Sequence, residues 1–383
     1  GENMPERIYG KRELELLEQV LMSGNLGALG GKFTPEFEEK FAKMTGTRYA
    51  VAMNSAMSVL HSSVICAVAG AGDEVICDPV FIFGAMAALY NNAIPKFADI
   101  DPASYAMDPG KLEEAITERT KAVIVTHPWG FPAQMDHIVE IAHRHSILVI
   151  EDCAHAILAS YKDRYAGAWG DIGSFSFQAS KQMSLGDGGI ATTNSEEFAK
   201  QLDLNAGAPT FHSIGHGLHY NFRMNELTSA VGIAQLERLP DLIEGLKKNA
   251  KYYDEAVRGC KWLRPQIASG AVSTYHYWAA TFEGEEFGIS LDRFREAAKE
   301  AGFWSLNIGY TRMPAYKHPV IKERLAHAFL CGDHRDKIEY PDGLCPVAER
   351  IIPRMVLFYT LQPEEKAREE ADKLRGLIRT LEE

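Results

Sequence analysis

From about residue 34 to 200, short runs rich in β-branched and aromatic residues alternate with stretches whose apolar positions recur three and four apart. The runs at 49–53, 74–77, 95–100, 122–126, 147–152, 173–177 and 189–193 predict strands. Between them, 58–69, 83–91, 112–116 and 135–145 predict helices, each behind a Ser, Gly or Asp start signal. Such alternation predicts an α/β fold, a mostly parallel central sheet sandwiched by helices, whose ligands bind outside the carboxyl ends of the strands. Beyond about residue 225 the pattern changes. A helical run over 226–253, interrupted at Pro240, reads as a connecting helix pair; 275–282 reads as a strand and 291–301 as a helix. Ala367, Ala371, Leu374, Ile378 and Leu381 then fall four and three apart, one apolar stripe of a last helix. The expected division is a segment 1–25, with a helix over 13–22, packed with the smaller domain; a large α/β domain over 26–240; and a smaller α+β C-terminal domain over 241–383.

Composition narrows the classes of function. With 383 residues, 46% of them hydrophobic and 24% charged, the chain is a packed globular protein and not a disordered or fibrous one. Its net charge of −12, without a basic stripe, argues against nucleic acid as a partner. Cys66, Cys77, Cys153, Cys260, Cys331 and Cys345 show no Cys-x-x-Cys pairing, so neither a zinc cage nor a disulfide framework is expected. No apolar run approaches the roughly 18 residues of a membrane span, and residues 1–7 lack the apolar core of a secretory signal. A cytoplasmic location with no membrane partner is the expectation.

The chemistry concentrates between 149 and 193. Asp152 closes an apolar strand, which brings its carboxylate to a strand end. Lys181 follows another predicted strand and precedes the Gly186-Asp187-Gly188-Gly189 turn. A carboxylate and an amine at neighbouring strand ends have two readings. One is a buried salt bridge. The other is a pyridoxal phosphate site, where a lysine forms a Schiff base with the cofactor's aldehyde and a carboxylate keeps its pyridine nitrogen protonated.

The motifs EDCAHA (151–156), FSFQASK (175–181), GDGG (186–189) and YNFRMNE (220–226) stand in order along the chain. GDEVICDP (72–79), FADIDP (97–102) and CPVAER (345–350) accompany them. Together they resemble the DegT family of pyridoxal phosphate-dependent sugar aminotransferases over nearly the whole chain, which implies the type I fold of pyridoxal phosphate-dependent transferases. The resemblance makes Lys181 the Schiff-base lysine and Asp152 the partner of the pyridine nitrogen. His155 stands where the family has Gln or His near the cofactor's phenolic oxygen, and Phe83 where an aromatic ring stacks on the pyridine; either is alternatively a core residue. For the phosphate it implies the Asn54–Ser58 turn at a helix N-terminus. There Ala56 and Met57 depart from the family's Gly and Thr, leaving their backbone amides, with Ser176, to hold the dianion; the lost hydroxyl hydrogen bond weakens cofactor binding unless Ser58 or water replaces it. Asn221 aligns with a residue that reaches the phosphate of the neighbouring subunit, implying a homodimer with a composite site; its alternative role is to cap the helix near 225.

What the resemblance implies about reaction is an aminotransferase cycle through pyridoxamine 5'-phosphate. Glutamate or glutamine is the donor, and a nucleotide-linked keto sugar or a keto-cyclitol is the acceptor, in amino-sugar or antibiotic biosynthesis. Gln178, in FSFQ, is shared with relatives acting on cyclic ketones or is a neutral substitution, and Trp129, in HPWGFP, replaces a more usual Tyr and either shapes a different acceptor pocket or is structural packing. A dehydratase branch of the family has His in place of the lysine, so Lys181 favours transamination over a dehydratase or aromatising enzyme. A cofactor-binding regulator without turnover and a scaffold that binds no cofactor are further readings. His212, His216 and His219 read as a solvated loop and not a metal site, and the glycine-rich 24–31 stretch lacks the strand-glycine-helix order of a nicotinamide fold.

Overall fold

The computed structural model describes residues 9–207, 219–329 and 338–383. Strands β1 (Tyr49–Met53), β2 (Glu74–Cys77), β3 (Ile94–Phe97), β4 (Thr120–Thr126) and β5 (Leu148–Asp152) come first. A short hairpin of β6 (Ser160–Tyr161) and β7 (Arg164–Tyr165) follows, then β8 (Ile172–Ser176) and β9 (Gly189–Thr193). Except for the hairpin, these form a seven-stranded sheet of order β1-β9-β8-β5-β4-β2-β3. Only β9 runs against the others, antiparallel to both β1 and β8.

The two-residue period of a strand explains why this sheet is covered twice. Ala122 and Ile124 of β4 enter one core, while Val123 and Val125 enter another. Helices α1 (Lys11–Ser23) and α2 (Phe33–Thr45) precede the sheet. On its first face lie α3 (Ala56–Cys66) and α4 (Phe83–Tyr90), contributing Leu60, Val64, Ala85 and Leu89. The opposite face is covered by α5 (Pro109–Ala115) and α6 (Met135–Arg144) through Leu112, Ile138 and Ile141. Helix α7 (Glu196–Gly207) closes the β1 edge with Leu202 and Ala206.

The helical run expected to be a pair is one helix, α8 (Glu226–Ala256), of 31 residues. Pro240 removes one backbone donor, yet Leu236, Leu239, Leu242 and Ile243 are all buried around it, and this packing carries the helix through. Residue 240 is thus no boundary in the backbone. Helix α1 packs on α2 and α8: Leu16 and Val20 share a core with Phe37 of α2 and Ile233 and Leu236 of α8, and that core also takes in Leu246 and Leu361 of the C-terminal range.

That unit contains β10 (Leu263–Pro265), β12 (Tyr277–Phe282), β13 (Leu306–Ile308) and β14 (Met355–Tyr359), an antiparallel sheet of order β10-β12-β14-β13. Strand β11 (Ala271–Val272) instead pairs with β6. Helix α9 (Leu291–Ala301), the short α10 (Pro319–Lys322) and α11 (Pro346–Ile351), and α12 (Glu364–Glu382) complete it. The predicted stripe from Ala367 to Leu381 is buried, four of its five residues in a core with Trp278, Phe282 and Phe358. The strand expected over 95–100 ends at Phe97, because Asp99 leaves the ladder to accept the Val347 and Ala348 amides at the start of α11. Among the described residues no helix is long and apolar enough to cross a membrane, and the five described cysteines are free thiols.

Candidate active site

A cavity of about 510 Å³ opens at the carboxyl ends of the parallel strands, where strand twist and helix starts leave room for ligands. Parallel pairing sets Asp152 of β5 against Ser174 of β8. Asp152 is buried, and its carboxylate accepts the Ala154 amide at 3.1 Å. Burial raises its pKa, opposed by that hydrogen bond and by the charges of Lys181 and His127. Lys181 reaches the same cavity from the loop after β8. Burial lowers its amine from an ordinary 10.5 to about 8, against the pull of Asp152. The two groups attract each other across the cavity, but no direct hydrogen bond or ion pair joins them among the described residues. The space between them is what a salt bridge would have closed.

The phosphate end is built by helix α3. It starts at Ala56, two residues before the predicted start, because Ser55 caps it by accepting the Ser58 amide at 3.1 Å. The Ala56 and Met57 amides are then first-turn donors without intrahelical acceptors, and Ser55, Ala56, Met57 and Ser176 all line the cavity. Gly189 makes the close approach possible: a Cβ there would lie 2.4 Å from the Ala56 nitrogen. Ser58 does not replace the missing threonine hydroxyl. Its Oγ donates to Asn54 Oδ1 at 2.6 Å and lies 2.9 Å from Ser55 Oγ, and Ser58 is not among the residues that line the cavity.

Phe83, the first residue of α4, is 51% exposed and lines the cavity, so it is not a core residue. His155 is buried on the same wall, and its Nδ1 has no hydrogen-bond partner among the described residues, unlike that of a satisfied core histidine. Burial, with Lys181 and His276 nearby, keeps its pKa well below the ordinary value. Asn221 is exposed and does not line this cavity. Its segment pairs with the start of the phosphate turn, Phe222 O accepting the Asn54 amide at 2.7 Å. Asn225, not Asn221, caps α8.

The sequence reading missed the outer wall, which Tyr310, Thr311, Pro314 and His318 supply from the C-terminal unit. The Ala315 amide ties this segment to Pro79 O at 2.7 Å. Pro314 and Gly309 mark it only as irregular, and it has no periodicity to read. Beneath the site, buried His127, Glu151 and Cys153 cluster closely. Glu151 already accepts from His127 Nε2 and from the amides of Gly167, Trp169 and Gly170, while His127 Nδ1 accepts from Ala133. These bonds occupy the groups a metal would need, and the cluster reads as a structural brace. Of the three loop histidines, His212 and His216 lie outside the described residues; His219 bonds Leu204 O.

Taken as chemistry, these residues fit pyridoxal phosphate. A half-buried amine without an ion-pair partner among the described residues, a carboxylate at a strand end, an aromatic face and a helix start answer the aldehyde, ring nitrogen, ring and phosphate in turn.

Comparison with known proteins points to aminotransferases. The profile of the DegT/DnrJ/EryC1/StrS aminotransferase family matches residues 7–331. The chain is similar to GDP-perosamine synthase of Caulobacter vibrioides, 32% identical over 315 residues, 79% of this chain and 83% of that one. It is also similar to L-glutamine:2-deoxy-scyllo-inosose aminotransferase of Streptoalloteichus tenebrarius, 32% identical over 375 residues, 90% of this chain and 86% of that one. Among solved structures, an aminotransferase from Psychrobacter cryohalolentis superposes with a TM-score of 0.84 at 25% identity, covering 100% of both chains.

Proposed function

Because the chain belongs to the DegT/DnrJ/EryC1/StrS aminotransferase family, we propose that it moves an amino group from glutamate or glutamine to a ketone on a sugar or cyclitol, with pyridoxal 5'-phosphate held in this cavity. The protein is an aminotransferase; the cofactor, donor, acceptor and residue roles form the proposal. The observation that carries it is a half-buried Lys181 amine, lowered to about 8 and without a hydrogen-bond or ion-pair partner among the described residues, in one cavity with Asp152.

When bound, pyridoxal phosphate supplies a carbonyl that takes up the donor's amine and a ring that stores the electron pair left by α-proton removal. Lys181, neutral in a useful fraction near pH 7, would take the proton from the donor α-carbon and deliver it to the carbon that was the cofactor's aldehyde, so that the amino group stays with the cofactor when the 2-oxo acid leaves. Asp152 holds a proton at the ring nitrogen, its negative charge favouring the charged ring. Ala56 and Met57 amides with the Ser176 hydroxyl hold the phosphate. Phe83 orients the ring by stacking, worth about 0.5 to 1.5 kcal/mol, and His155 meets its phenolic oxygen. The relatives' names, one a synthase of GDP-perosamine and one an inosose aminotransferase, support an acceptor that is a keto sugar or keto-cyclitol. Asn221, exposed beside its own phosphate turn yet outside its own cavity, supports a homodimer in which it serves the partner's site.

The test is the visible spectrum of the protein with pyridoxal phosphate, before and after glutamate or glutamine. A band that appears and then fades, with stoichiometric release of the 2-oxo acid, is expected. No band at all overturns the cofactor assignment; a band with no 2-oxo acid from either donor overturns the proposed transfer from them and favours a regulator.

A further inference from the structure

Trp129 carries two costs at once. It is a bulky residue at φ 59°, in the left-handed region, and it is fully buried with an indole N–H that has no acceptor among the described residues. Neither feature helps folding, and a phenylalanine would avoid the second. The turn around it is nonetheless locked. Gln266 Nε2 donates to Pro128 O at 3.1 Å, and the Thr274 amide donates to Gly130 O at 3.2 Å. A Cβ on Gly130 would lie 2.6 Å from the Tyr275 nitrogen, so the backbone approaches too closely for any other residue there.

What this arrangement secures is a ring stack behind the cavity. The indole lies nearly parallel to the His155 imidazole, 5.2 Å between centroids and 14° between planes. His276 stacks on the same imidazole at 4.4 Å and 25°. Trp129 also meets Phe81 and Tyr310 edge-on, with centroids 5.1 and 5.2 Å away. Phe81, His155 and Tyr310 all line the cavity, while Trp129 stands behind them. We propose that Trp129 is a positioning residue: its indole fixes the plane of the His155 ring, and the seats of Phe81 and Tyr310, at the wall that faces the cofactor. The inference rests on the reading that the cavity takes pyridoxal phosphate, although the stack itself exists without it. Lys181 and His276 are the titratable groups acting on His155, with Asp152 on the same cavity wall.

The experiment uses full-length protein freed of cofactor, with carbon-labelled histidine, and follows ring-proton resonances by NMR. The His155 signal is identified by its disappearance in His155→Gln. In the parent protein its ring protons should be displaced upfield by the stacked indole. Trp129→Leu should reduce that displacement, leaving the part due to Phe81 and His276, and weaken pyridoxal phosphate binding roughly two- to tenfold, the range expected for one aromatic stack. Trp129→Tyr should retain most of both. A role confined to stability would lower the melting temperature of Trp129→Leu and remove the indole's ring current from His155 while leaving the pyridoxal phosphate affinity unchanged, and unchanged affinity overturns the proposal. Should Trp129→Leu fail to fold, an unshifted His155 resonance in the parent protein, or tenfold weaker binding by a folded Trp129→Tyr, overturns it equally. If the parent protein binds no pyridoxal phosphate, the proposed function falls, while the resonance still decides the role of Trp129.

Discussion

Lys181 offers a prediction whose size follows from its surroundings. At pH 7 an amine with a pKa of about 8 is neutral in about one molecule in ten, against roughly three in ten thousand at the ordinary value. Capture of an aldehyde needs the neutral amine, so burial alone should speed cofactor capture by roughly 300-fold near neutrality. Stopped-flow mixing of pyridoxal phosphate with cofactor-free protein, repeated across pH, reads this directly. The rate constant should rise with pH and level off above about 8. In Asp152→Asn the inflection should move to lower pH, because the negative charge that supports the ammonium is gone. A rate that still climbs tenfold per pH unit above 9, or an inflection that moves upward in Asp152→Asn, would refute the reasoning.

The same shift has a consequence for stability. Between pH 8 and 10.5 the unfolded chain binds more protons at Lys181 than the folded one, so stability rises with pH in that window and the penalty is full below it. Lys181→Met should therefore be more stable than the parent at pH 7, by about 1 to 3 kcal/mol after allowing for solvent at the cavity mouth, with the gap closing by pH 10 in denaturant titrations; equal stability at both pH values would count against the burial argument. Gly189→Ala forces a methyl to within 2.4 Å of the Ala56 nitrogen, at about 1 to 3 kcal/mol, and should weaken pyridoxal phosphate roughly five- to hundredfold in a binding titration; unchanged affinity would detach the α3 start from the phosphate. Glu151→Ala strips four donors of their buried acceptor and should cost about 3 to 5 kcal/mol, seen as a large drop in melting temperature; a small drop would mean that water repairs the gap.

How much of this could be read beforehand varied with the kind of signal. Asp152 and Lys181 were legible because an apolar strand ending in a carboxylate, and a lysine ahead of Gly186-Asp187-Gly188-Gly189, announce strand ends where ligands gather. Phe83 and His155 rested on resemblance, and their exposure and unpaired nitrogen tell against a plain core role. Ser58 was offered as a spare hydroxyl, but the direction in which a serine turns depends on the Asn54 beside it, which residue type does not reveal. The Tyr310–His318 wall was invisible because an irregular segment carries no period and its place is set by a contact with Pro79, far earlier in the chain. Pro240 misled in the opposite direction: a strong local breaker was overruled by apolar burial on both sides of it.

Helix α8 is also a mechanical element. Its 31 residues extend about 46 Å. In its first turn Glu226 holds the amides of Phe33 and Thr34, clamping the start of α2 to the large sheet's side. Near its far end Asn249 donates to Thr360 O and Gln362 O, at the root of α12. One helix therefore ties the start of α2 to the root of α12. Leu236 and Leu239 before Pro240, and Leu242, Ile243 and Leu246 after it, lie in a single core, so packing bridges the missing backbone donor and the two ends of the helix are joined through one continuous element.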